Sequence, residues 1–235
     1  MRCNGEGTAL RTHQIKILNI LSETDKILRR HNIHYWLGFG TLLGAVRHKG
    51  FIPWDDDLDI CIMRKDRKKL TWILNQELPP HLKAENYTYG FMKICDASDK
   101  HIYIDIFSME KGSVALRKRL LIYRQALAYI NGRHSKKAGK LLAACIISLF
   151  SLCIVSLARA LHFLIPSGRL IYEYESEFYL GLKTHDKKDI FPLRYETFED
   201  AEFPVPYDTD ACLTALYGNW RQIPPPEKRY SHQNT

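Results

Sequence analysis

The segment Asp55-Asp56-Asp57-Leu58-Asp59 sets four carboxylates within five residues. Leu58 to Met63 reads as a strand, and side chains alternate faces along a strand. That alternation predicts Asp57 and Asp59 on one side, roughly 7 Å apart at Cα. It sends Asp56 to the other side and leaves Asp55 undecided, as an outer-shell or phosphate-side residue. Two carboxylates this close resist joint ionisation unless a cation lies between them. All-oxygen ligands favour Mg²⁺ or Mn²⁺ over zinc. A third acid, Asp105, sits in the apolar run Tyr103-Ile104-Asp105-Ile106-Phe107. A carboxylate embedded that way is costly unless it is paired or metal-bound. Asp57, Asp59 and Asp105 on neighbouring strands could hold one or two divalent ions and serve catalysis. The competing readings are a solvated acidic turn and a calcium loop, although EF-hand spacing is absent.

Phosphate chemistry is suggested nearby. Gly38-Phe39-Gly40-Thr41-Leu42-Leu43-Gly44 follows a strand over His34–Phe39 and opens a short helix at Thr41. Glycines let backbone N–H groups approach an anion, and a helix start favours phosphate. Gly40 and Thr41 are the candidates, although the spacing matches neither the Rossmann nor the P-loop pattern. Arg47, His48 and Lys49 form a basic loop before the acids, and Lys93 lies on the strand before Asp105. Each could offset phosphate charge; each could equally be an ordinary surface base, and His48 a proton carrier. Trp54, Tyr35 or Trp36 could cradle an organic cation, with core packing as the competing role.

The elements that must position these groups follow from periodicity. Ile17, Ile20, Leu21, Thr24, Ile27 and Leu28 predict a helix from His13 to His31, capped by Thr12. Asp66–Leu78 reads as a helix, Tyr87–Ile94 and His101–Phe107 as strands, and Arg169–Gly181 as an amphipathic helix. The order argues for an α/β domain with a mixed sheet. Residues 12–110 form the expected catalytic core. Residues 111–175 form a basic and apolar helical insertion, and 176–235 a largely helical part completing the domain.

Composition narrows the classes. The 235 residues carry a net charge of +8 and 46% hydrophobic residues, which excludes wholesale disorder. The basic residues are scattered without a nucleic-acid-binding module, so no nucleic-acid partner is expected. None of the six cysteines forms a Cys-x-x-Cys pair. They read as reduced core residues, and the expected compartment is the cytoplasm; no secretory signal is evident. Leu141–Ile165 is almost wholly apolar and follows Lys136, Lys137 and Lys140. It predicts contact with the inner face of the plasma membrane, with burial against the domain as the alternative.

The stretch from Tyr35 to Ile60, including Gly38-Phe39-Gly40-Thr41, Arg47-His48-Lys49-Gly50 and Pro53-Trp54-Asp55-Asp56-Asp57-Leu58-Asp59, closely resembles the signature of the LicD family. That family lies in the nucleotidyltransferase-fold superfamily. Weaker similarity runs through Phe91–Ile94, Ile104–Phe107, Tyr217-Gly218, Pro224-Pro225 and His232. The resemblance implies a nucleotidyltransferase-like core in which Asp57, Asp59 and Asp105 hold magnesium. It implies transfer of phosphocholine, or a related alditol phosphate, from a CDP-activated donor such as CDP-choline, with release of CMP. The implied acceptor is a hydroxyl of a glycan or lipid-linked glycan: teichoic acid, lipopolysaccharide or capsule precursors. Asp105 is the preferred proton acceptor. One departure is Ser108-Met109-Glu110, where the family often has Pro-Leu-Asp.

Overall fold

The computed structural model describes residues 8–86, 91–113, 153–161, 169–172 and 183–229. Helix α1, Ala9–Arg30, starts three residues before the expected cap. Thr8 is the N-cap, its hydroxyl accepting from the Arg11 N–H. Strand β1, Tyr35–Leu37, leads into α2, Phe39–His48. The glycine turn is therefore part of a helix rather than a loop before one. Strand β2 is Asp59–Met63, α3 is Arg64–Glu77, and β3, β4 and β5 are Leu82–Asn86, Phe91–Asp96 and Tyr103–Lys111.

The described strands make a mixed sheet of order β1-β2-β5-β4-β3, with β2 and β5 parallel and the other neighbours antiparallel. Strand β6, Arg169–Tyr172, pairs with the end of β5, and β7, Thr184–Asp186, pairs with β6. This corrects the helix expected from Arg169: Leu170, Ile171 and Tyr172 are all buried and laddered to Met109–Lys111. Four apolar-rich residues do not distinguish a helix from a buried strand by periodicity. Residues 173–182 lie outside the described residues. The C-terminal part is also less helical than expected. It holds a hairpin of β8, Arg194–Phe198, and β9, Ala201–Val205, beside two helices numbered α5, Lys187–Ile190, and α6, Thr209–Tyr217. Helix α4 is residues 153–161.

The two faces of the sheet differ. Ile60, Ile62, Met92, Ile94, Ile104 and Ile106 are buried on one face, towards α1 and α3. At about 25 cal/mol per Å² of apolar surface, this layer is the main stabilising contribution to that side. On the other face lie Asp59, Cys61, Lys93, Asp105 and Phe107. Helix α2 crosses it so closely that a Cβ on Gly38 would come 2.8 Å from Cys61 Sγ.

Of the apolar stretch Leu141–Ile165, only α4 is described. Its Val155 and Ala158 are buried, and Arg159 makes a two-pronged contact with Glu110, at 2.6 and 2.8 Å. This part of the insertion packs on the domain. No helix among the described residues is long and apolar enough to cross a membrane.

Candidate active site

Asp59 and Asp105 are register partners across the parallel β2–β5 ladder, and Lys93 is the partner of Asp105 across β4–β5. Cross-strand partners share a sheet face, so the three form one row over three strands. Lys93 Nζ lies 3.5 Å from Asp105 Oδ1 and 3.3 Å from the centroid of the Tyr103 ring. Tyr103 was missed from the sequence. Its place two residues before Asp105, hence on the same face, was the available signal.

Asp57 reaches this row differently from expectation. The strand starts at Asp59, so Asp57 stands in the preceding segment and not on a strand. Asp55 joins it there. Gly40 leaves room for it: a Cβ at that position would meet Asp55 Oδ2 at 2.7 Å and Asp57 Oδ1 at 3.8 Å. The first turn of α2 thus faces carboxylates, which its dipole favours. Asp55 belongs with the acids rather than with phosphate-binding groups. Asp56 is buried, and its carbonyl oxygen lies 2.8 Å from His13 Nε2.

The start of α2 also fixes Asp59. The Asp59 N–H donates to the Thr41 hydroxyl at 2.8 Å, and the Gly38 N–H donates to the Asp59 carbonyl at 2.9 Å. The Thr41 hydroxyl, buried at 3% exposure, therefore orients Asp59 and does not reach out to a phosphate.

The electrostatics are those of crowded anions. Burial pushes Asp55 up to about 8, with the charges of Asp57 and Asp56 adding to it and a hydrogen bond to Asp57 holding the proton. Burial raises Asp59 well above the usual carboxylate range, reinforced by Asp57, Asp105 and Asp55, with Lys93 opposing. Burial acts to lower Lys93, but Asp105 and Tyr103 outweigh it and the ammonium is strengthened. Among the described residues no three carboxylates converge at coordination distance; the Asp55–Asp57 hydrogen bond draws two of them together. The donor chemistry still fits a hard divalent cation. Four carboxylates crowd beside the Lys93 ammonium, and a cation relieves what a shared proton otherwise must.

Other expected residues fall elsewhere. Arg47 and His48 lie in the last turn of α2 and Lys49 caps it. That is about 14 Å along the axis from the end that meets the acids. Arg47 donates to the Trp220 carbonyl at 2.8 Å and to His48 Nε2 at 2.9 Å, and Lys49 Nζ lies 2.9 Å from Glu196. Burial, then Arg47, holds His48 below its ordinary pKa. Arg47 and Lys49 tie α2 to the C-terminal part, His48 packs with Arg47 and edge-on to Trp54, and none of the three is placed at the α2 end that meets the acids. Tyr35 and Trp36 are core residues at 2% exposure, Tyr35 donating to Asp25 and Trp36 packed edge-on to Phe191. Neither ring offers a face to a ligand cation. Trp54 does present its ring to a cation, the guanidinium of Arg229 at 4.4 Å.

Residues 32–131 match the family described as LicD/FKTN/FKRP, nucleotidyltransferase domain. The chain is similar to the lipopolysaccharide cholinephosphotransferase LicD of Haemophilus influenzae, at 27% identity over 95% of both chains. It is 38% identical to an uncharacterized Rickettsia prowazekii protein over 41% of this chain and 34% of that one. It is 25% identical to the human ribitol 5-phosphate transferase FKRP over 48% of this chain and 25% of that one. It thus spans nearly all of the first relative but a third or less of the other two. The matched domain, carrying the acid row, and the near full-length relative support assignment to the LicD family, as an enzyme of the LicD type.

Proposed function

We propose that this enzyme transfers a phosphorus-containing group to a glycan: phosphocholine, or a related alditol phosphate, from a CDP-activated donor to a hydroxyl of a cell-surface glycan or its lipid-linked precursor. The observation that carries the reading is the row Asp59–Asp105–Lys93 with Asp55 and Asp57 beside it. Such an excess of buried negative charge suits a metal–pyrophosphate ligand and little else. The names of two relatives support the coarser statement, since one is a cholinephosphotransferase and another a ribitol 5-phosphate transferase.

Asp57, Asp59 and Asp105 would hold one or two Mg²⁺, or Mn²⁺, with Asp55 as an outer partner. When bound, such ions offset the charge of the donor pyrophosphate and of the leaving phosphate. The chain's own groups do the rest. Thr41 and Gly38 hold Asp59 in place, Lys93 orients Asp105, and the α2 N-terminus adds a favourable field for phosphate. The acceptor oxygen forms its bond to phosphorus as the bond to the CMP oxygen breaks. The hydroxyl proton passes to a carboxylate, which we assign to Asp105. We also propose that the enzyme works at the inner face of the plasma membrane, where lipid-linked precursors are presented.

The test is incubation with CDP-choline, CDP-ribitol or CDP-glycerol, Mg²⁺ and a lipid-linked glycan, with CMP and labelled glycan as readouts. CMP release that depends on acceptor and metal is expected with one of these donors. A nucleotidylated product, or turnover unchanged by chelator, would overturn the reading.

A further inference from the structure

The acid-bearing segment Phe51–Leu58 has no regular structure, yet its backbone is held at several points by distant side chains. Gln14, on α1, is fully buried at 0% exposure although it is polar. Its amide nitrogen donates to the Asp55 carbonyl at 2.8 Å and to the Ile52 carbonyl at 3.5 Å. The neighbouring His13 contacts the Asp56 carbonyl at 2.8 Å through Nε2, which must be the donor because a carbonyl only accepts. One turn earlier, Arg11 donates from both terminal nitrogens to Glu199, at 3.1 and 2.6 Å, and reaches the Gln14 side-chain oxygen at 3.4 Å. Glu199 sits in the β8–β9 turn with φ +58° and accepts from the Phe51 N–H at 3.0 Å. Its N–H donates to the Lys49 carbonyl at 2.9 Å, and a Cβ on Gly50 would meet its Oε1 at 2.5 Å. The segment is therefore clamped from two sides, by the first turns of α1 and by the hairpin turn.

We infer that Gln14, with the Arg11–Glu199 pair, positions the carboxylates of Asp55, Asp57 and Asp59 for their ligand by fixing the main chain that carries them. The inference rests on the reading of those carboxylates as a divalent-cation site. The contacts from Gln14, His13 and Glu199 run to the main chain of the segment and of Lys49 just before it, so the clamp sets where the carboxylates start. A buried amide is costly to leave without a partner, and here both halves of it are engaged within one network. Outer partners that orient metal ligands commonly change metal affinity by 10–100-fold.

The experiment uses the full chain and Mn²⁺ alone as probe, read by electron paramagnetic resonance, with peptide-resolved hydrogen exchange over residues 51–57. Gln14→Met keeps the length and removes both donors. Thr24→Val is the control: Thr24 is equally buried in α1 but donates only to the Ile20 carbonyl within the helix. Gln14→Met is expected to weaken Mn²⁺ binding about tenfold and to speed exchange over 51–57. Thr24→Val is expected to lower the unfolding midpoint without either change. Glu199→Gln keeps an acceptor for Phe51 but loses the charge on Arg11, and should fall between Gln14→Met and wild type. Mn²⁺ affinity and exchange in Gln14→Met equal to those in Thr24→Val would overturn the inference. Glu199→Gln equal to wild type would remove the Arg11–Glu199 pair from it. If the wild-type chain binds no Mn²⁺, the cation reading fails, and the exchange comparison alone decides whether the clamp exists.

Discussion

Strand β5 carries two largely enclosed acids near its two ends, and they live in opposite surroundings. Glu110 is met by Arg159 in a two-pronged contact and by Arg64 at 3.8 Å. Asp105 faces the Lys93 ammonium and shares its neighbourhood with the charges of Asp59 and Asp57. At Glu110 positive charge meets or exceeds negative charge, and the cluster ties α4 and α3 to the sheet. At Asp105 several carboxylates crowd together, and their mutual repulsion raises Asp59 with Lys93 opposing it. The same residue chemistry on the same strand thus serves fastening at one end and, under the proposed function, ligand binding at the other. The balance of charge tells them apart, not burial, since both acids are largely enclosed.

The largest effect should come from the unbalanced end. Asp59→Asn should cut transfer by at least about 10²-fold, the scale of a lost electrostatic contact at a reacting centre. It should leave the unfolding midpoint equal or higher, because repulsion is removed. CMP release and urea unfolding check the two halves. A fall in stability as large as the fall in activity would break the comparison.

The balanced end should show the reverse. Arg159→Met removes the two-pronged partner of the buried Glu110 and should cost about 3 kcal/mol of stability. Transfer per folded molecule should be unchanged. Glu110→Gln combined with Arg159→Met should recover most of the loss, as paired buried charges do when both are removed; urea titrations of the two variants decide it.

His185 offers a third case, a buried group with no counter-charge among the causes of its shift. Burial holds its pKa down to about 4. The unfolded chain, near 6.5, binds the proton more readily between those values, so stability is full above about pH 6.5 and falls as pH drops towards 4. Between pH 7 and pH 5 the loss from this group should be about 2 kcal/mol. His185→Gln should flatten that part of a urea-midpoint profile. The smallest effect is expected for Lys93→Gln, about tenfold in kcat/KM for the donor, with most of it in kcat if the ammonium mainly holds Asp105.

Much of the acid row was legible because it depends on local rules. Alternation put Asp105 on a face, and the long signature around Asp57 and Asp59 marked the chemistry. The parallel register that sets Asp59 opposite Asp105 was not legible, because nothing local encodes which strands meet. Arg47 and Lys49 were misplaced for a related reason: nearness in sequence became a helix length in space once α2 formed. Thr41 was read as reaching outward, while the structure turns its hydroxyl to the Asp59 amide. Arg169–Tyr172 was read as helix because four residues carry too little period, and its partner on β5 is remote. Gln14 could have been found. It lies on the stripe of Ile17, Leu21 and Leu28, where a polar side chain asks for a buried partner.

The segment that bears the acids is anchored by its carbonyls and amides, so its identity as a scaffold does not depend on which side chains it displays. Residues 55, 57 and 59 can be exchanged one at a time while the path of the chain persists. Substitutions there report on chemistry with little interference from folding. Under the proposed function, the same arrangement would let the preferred ion or headgroup change by small steps. Each step would alter the ligand set and keep the shape that presents it.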